Sequence, residues 1–179
     1  MALTLARKLI VLVLALTLAP ALVFLTGCGF HLRSQQVFPF ATLGITPEHA
    51  GGVAGDLSRI LSEMLLPVAP AKGAAVPEVI LDIQRESRQK VIVGVNASGQ
   101  VREYELRLNV VFKVRTGKGE ELVGPTIIEQ SRNISLNESA VLSKEVEEGL
   151  LYRDMQSDVV QQLLRRLGSL HLPAAPVSP

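Results

Sequence analysis

Cysteine is nearly missing from this chain: Cys28 is the only one among 179 residues. A lone thiol excludes an intramolecular disulfide framework and any site built from paired thiolates. Tryptophan is absent and aromatic residues make up 4% of the sequence, so the core must be aliphatic, built from Leu, Val and Ile. Histidine is scarce too. His31, His49 and His171 stand far apart, with no His-x-x-x-His spacing and no neighbouring nucleophile in a catalytic pattern. Neither a metal centre nor a cofactor nor a hydrolytic site is expected. The glycines at 51, 52 and 55 lack the Lys-Ser/Thr that completes a phosphate loop and read as a flexible helix start. Glu145, Glu147 and Glu148 read as a solvated helix face rather than paired catalytic carboxylates, so the chain is expected not to be an enzyme.

What is present begins at the N-terminus. Arg7 and Lys8 precede an apolar run from Leu9 to Leu25, broken only by Thr17 and Pro20. Basic, apolar and small segments in that order describe a secretory signal peptide. The run ends in Leu25-Thr26-Gly27-Cys28, which resembles the lipobox of bacterial lipoprotein precursors. Residues 1–27 are therefore expected to be a cleaved signal peptide, with Cys28 as the lipid-attachment residue. Each buried CH₂ of an acyl chain contributes about 0.8 kcal/mol, and several chains together make attachment durable. Gly29, where an Asp would resemble an inner-membrane retention signal, favours the periplasmic side of the cell outer membrane.

Two of the 18 basic residues lie in that leader, which leaves 16 Lys+Arg against 17 Asp+Glu, a formal charge of −1. No basic surplus marks a nucleic-acid partner. No second apolar run is long enough to span a bilayer. Residues 28–40 read as a lipidated tether, 41–170 as a single domain, and the Pro/Ala-rich 171–179 as a disordered tail.

Within the domain, 41–46 reads as a short strand stopped by Pro47. Leu57, Ile60, Leu61, Met64 and Leu65 repeat at the helical period over 54–66, with Asp56 as a cap and Pro67 as the stop. Residues 67–77 form a Pro/Ala/Gly connection. The stretch 78–96 reads as a strand marked by Ile83, Val91, Val93 and Val95, and Asn96-Ala97-Ser98-Gly99 as a turn. The clearest strand is 100–115, where Tyr104, Leu106, Leu108, Val110, Phe112 and Val114 alternate with polar residues and Val111 is the exception. A turn at 116–119, a strand over 126–136 and a long amphipathic helix from Leu142 to Leu167 follow. The expected fold is α+β, a two-layer sandwich with two helices packed on one face of a mainly antiparallel four-stranded sheet.

The motifs fall in a familiar order. Cys28-Gly29-Phe30-His31-Leu32-Arg33 resembles the start of the mature LPS-assembly lipoprotein LptE family. Gly99-Gln100-Val101-Arg102-Glu103-Tyr104 is similar to the family's turn into its long strand. Arg132 with Asn137, then Lys144-Glu145, Arg153-Asp154-Met155 and Gln162 to Leu167, resemble its approach to the last helix and the helix itself. The resemblance covers nearly all of the chain after the leader. It implies an outer-membrane lipoprotein that plugs the LptD β-barrel, supports its assembly and takes part in lipopolysaccharide delivery to the cell surface. The implied partners are LptD, lipopolysaccharide and the membrane reached through the lipid anchor.

By position, the resemblance makes Lys144 a candidate lipopolysaccharide-binding residue. The family can also carry a basic residue just before Gly-Gln; Ala97 stands there, and Arg102 is the nearest basic alternative. The other expectation is a lipid-binding accessory lipoprotein of another envelope transport system.

Overall fold

The computed structural model describes residues 37–48, 51–136 and 141–172. The leader, Cys28, His31, His49, Asn137 and the tail beyond 172 lie outside the described residues. In chain order the elements are β1 (Leu43–Thr46), α1 (Gly52–Ile60), a short 3-10 turn (Ser62–Met64), β2 (Val79–Val95), β3 (Val101–Thr116), β4 (Glu121–Ser135) and α2 (Val141–Gly168).

Alternation in β3 organises the sheet. Leu106, Leu108, Val110, Phe112 and Val114 are buried under the helices, and the residues between them point to the other face. Tight turns join β3 to both neighbours. Gly99 and Gly119 take positive φ there (79° and 97°), a conformation that suits glycine. Asn96 Oδ1 accepts from the backbone N–H groups of Ser98 and Gln100, fixing the first turn. The resulting order is β1-β2-β3-β4, with β2, β3 and β4 antiparallel and β1 parallel to β2. The sheet is thus mixed, and antiparallel along most of its length. The two-layer α+β expectation holds.

A bulge in β2 shapes everything beyond it. Ile83 stands opposite Phe112 on the helix face, but Arg85, not Gln84, stands opposite Val111. One extra residue flips the alternation. From there Glu86, Arg88, Lys90 and Ile92 share the helix side with Val110, Leu108, Leu106 and Tyr104, while Val91 pairs with Glu105 on the open face.

Four details differ from the expected pattern. Helix α1 is shorter at its C-terminal end: Leu61 closes it and Met64 lies in the 3-10 turn, so Ile60 is exposed. Asp56 is not its cap; it pairs with Arg59 and accepts from Gln156. Strand β4 starts five residues before Thr126 and runs through Pro125, which an edge position tolerates. In α2, Met155, Val159, Leu163 and Leu167 are buried, whereas Val146 and Leu150 are exposed. The five-residue step from Leu150 to Met155 turns the face by roughly 140° at about 100° per residue, which carries Leu150 off the packed side.

The connection 67–77 crosses the open face beside β1. A Cβ on Gly44 would lie 2.7 Å from Val68 Cγ2 and 3.0 Å from Pro77 Cγ, so glycine lets the segment lie flat there. Ile80 is buried on that side. No helix among the described residues is long and apolar enough to cross a membrane.

Candidate functional site

The free end of the β2–β3 hairpin gathers the functional candidates. Val91, Ile92, Val93 and Val95 are all exposed, Ile92 at 54% and Val95 at 60%. An uninterrupted apolar run puts side chains on both faces of a strand, so neither face hides it. Beside this run the helix side carries cations held by α2. Lys90 Nζ donates to Glu148 Oε2 at 2.7 Å and lies 4.6 Å from the centre of the Tyr104 ring. Its hydrogen bond to Glu148 holds the ammonium above its ordinary pKa, with burial pulling the other way. Arg88 lies over Tyr152 at 5.2 Å and donates to Gln156. The Tyr152 hydroxyl donates to the Gln89 carbonyl oxygen at 2.7 Å, and burial, followed by the charge of Glu148, pushes that phenol up.

Lys144 lies in the first turns of α2, four residues before Glu148 and so on the same side of the helix. Its ammonium is partly buried and donates to Glu147 Oε2 at 2.7 Å. Arg102 is exposed, second in β3, and its carbonyl oxygen accepts from Leu136 N–H at 2.8 Å just before α2 begins. Lys144 and Arg102 therefore lie on elements that converge on one end of the sheet. Lys90 and Arg88 join them there and were missed in the sequence, because a polar strand centre gives no hint which of its charges meet a helix. The signal that could have found the site is the unbroken Val91-Ile92-Val93 run.

Arg132 pairs across to α2 rather than within the sheet, with Asp158 at 2.7 Å and Asp154 at 3.7 Å. The glycines at the start of α1 serve a carboxylate of the chain itself. Glu86 Oε2 accepts from Val53 N–H at 2.9 Å, filling the place an anion would take at a helix N-terminus. No cluster of metal-ligating side chains occurs among the described residues.

Comparison with known proteins places this surface in context. The profile described as "LptE: Lipopolysaccharide-assembly" matches residues 40–167. An LPS-assembly lipoprotein LptE from Photorhabdus laumondii is 28% identical over 163 residues, covering 89% of this chain and 87% of that protein. The solution structure of an uncharacterized lipoprotein B from Nitrosomonas europaea superposes with a TM-score of 0.64 at 33% identity, covering 79% of this chain and 91% of that one. The rare lipoprotein B of Shewanella oneidensis shares the fold, with a TM-score of 0.56 at 22% identity over 72% of this chain and 92% of the other. The chain belongs to the LptE family of LPS-assembly lipoproteins, a non-enzymatic family that supports lipopolysaccharide transport.

Proposed function

We propose that the protein is an outer-membrane lipoprotein, anchored by lipid on Cys28 after removal of residues 1–27. In this reading the single domain over 41–170 plugs the LptD β-barrel, supports its assembly and takes part in delivering lipopolysaccharide. The observation that carries the ligand part is the hairpin end, where exposed Val91, Ile92, Val93 and Val95 stand beside Lys90. An apolar strip flanked by cations suits a molecule with acyl chains and an anionic, phosphate-bearing head, because charge-assisted contacts to phosphate are strong. Lys144 and Arg102 are the proposed lipopolysaccharide contacts. Lys144 would have to exchange its bond to Glu147 for the ligand.

The plug part is supported by the surface chemistry. A domain inside a polar barrel lumen needs a closed core and a hydrogen-bonding exterior. The open face of the sheet, with Ser87, Asn109, Arg107, Glu129 and Asn133, is of that kind.

The test is affinity purification of tagged full-length protein from outer membranes in mild detergent, with mass spectrometry of what stays bound. A large β-barrel in equal amount is expected. A lone lipoprotein, or one carrying inner-membrane transporter subunits, would replace this reading with that of an accessory carrier. Cys28→Ala should leave uncleaved, unlipidated precursor; normal processing of that variant would remove the anchor from the proposal.

A further inference from the structure

We propose that the outer edge of β4, from Thr126 to Ser135, accepts an additional β-strand from a protein partner whose extended segment carries basic side chains. The proposal does not depend on the barrel reading. The sheet has two long open edges, because β1 covers only Val79–Asp82 of β2 and β4 ends the strand order. An open edge is a template for another chain unless it is blunted.

The two edges are finished differently. On β2 beyond Ile83 the strand carries Arg85, Arg88 and Lys90 and has register shifts at Ile83/Arg85, Ile92/Gly94 and Gly94/Val95. The Tyr152 hydroxyl occupies the Gln89 carbonyl oxygen, and Lys90, Arg88 and Glu86 are tied to α2 or α1. Lysine, bulges and covering side chains are the devices that natural sheets use against edge pairing. On β4 the blunting is confined to the first part, where Pro125 sits near register shifts around Val114. From Thr126 to Ser135 the strand pairs with β3 in unbroken register and contains no proline, glycine or lysine. Its side-chain contacts to backbone carbonyls stay within the strand, from Arg132 Nη1 to Ser131 and from Thr126 Oγ1 to Gly124, and Arg132 is the side chain here that reaches α2, at Asp158.

The side chains state what the added strand should carry. Ile127 is 62% exposed and stands opposite Val111 on the open face, so an apolar row crosses β3 and β4 and stops at the edge. This accounts for Val111 as the one apolar residue that breaks the alternation of β3. On the helix face Asp154 and Asp158, with side chains 67% and 46% exposed, share the single guanidinium of Arg132. Glu129 is exposed on the opposite face. Around Arg132 and Glu129 carboxylates therefore outnumber cations, while Arg166, over the Phe112 ring opposite Thr126, is a cation at the far end of this edge. A strand with a β-branched residue beside Ile127 and Lys or Arg beside the carboxylates complements it. A second copy of this chain would double the acidic excess, so self-pairing is disfavoured.

The experiment is amide hydrogen exchange on the full-length protein in mild detergent, read by mass spectrometry. The probes are a short synthetic peptide of alternating Lys and Val and a matching peptide of Glu and Val. The Lys/Val peptide should slow exchange across 126–135 about tenfold, as a new hydrogen-bonded ladder does. The Glu/Val peptide should leave that segment unchanged, and neither should protect 83–95. Ile127→Lys and Glu129→Lys, both at exposed positions, should each reduce the protection. Equal protection by the two peptides, protection on β2 instead, none at all, or protection that rises with protein concentration without peptide would each overturn the proposal.

Discussion

Along β2, the residues from Val79 to Ile83 are all buried, whereas from Gln84 to Val95 none is. The outer edge of the same strand is covered by β1 at one end, where the 67–77 connection also packs, and only by helix side chains at the other. At the closed end even a charge is built in. Asp82 is 8% exposed and accepts from Thr46 Oγ1 at 2.7 Å and from Arg115 Nε at 2.8 Å, with Lys113 at 3.9 Å. At the open end charges lean on tyrosine rings and valines face outward. The strand anchors the fold with its first residues and offers a surface with its last, and the bulge after Ile83 divides the two roles.

Leu81→Ala should test this division most severely. Leu81 is fully buried, so the change is expected to cost about 2–5 kcal/mol in urea unfolding, the usual loss for a truncated core leucine. Ile92→Ala, on the same strand, should stay within about 0.5 kcal/mol of the parent. Similar losses for the two would break the comparison.

Asp82→Asn is next in size. Burial alone would raise this carboxyl, but the hydrogen bonds from Arg115 and Thr46 and the charges of Arg115 and Lys113 outweigh it and hold it below the usual carboxylate value. A group depressed in the folded state contributes stability above its unfolded pKa and loses it as pH falls through the folded one. The substitution should therefore cost about 2 kcal/mol at neutral pH, the scale of hydrogen bonds to a charged group. The gap between variant and parent should close as pH falls below the ordinary Asp value of 3.8. Unfolding midpoints measured across that range check it; a gap independent of pH would show that the carboxylate's charge is not what matters.

The closed end was legible in the sequence and the open end was not, for a physical reason. Alternation over Leu106–Val114 is a one-strand property, so β3 and its buried face could be read directly. The markers Ile83, Val91, Val93 and Val95 read as one strand around a polar centre, yet Ile83 is buried and the valines are exposed. The bulge that separates them depends on pairing with β3, which periodicity along one chain does not record. The candidate site follows the same rule. Lys144 and Arg102 could be named from a motif, but Lys90 could not, because its role rests on Glu148, 58 residues away.

The smallest effect on stability should come with the clearest effect on ligand. Lys144 pairs with Glu147, only three residues on, and that carboxylate is 45% exposed. Such a surface pair contributes at most about 1 kcal/mol. Lys144→Asp should therefore leave the urea midpoint close to that of the parent while weakening lipopolysaccharide binding, measured on purified full-length protein in detergent. Barrel co-purification should suffer less, because the helix core that begins at Tyr152 and Met155 is untouched. Parallel loss of ligand and barrel would mean that the first turns of α2 are a docking element. Loss of neither would move the ligand contact away from Lys144 and toward Arg102 and the exposed valines. The open end of β2 thus becomes testable separately from the fold that carries it.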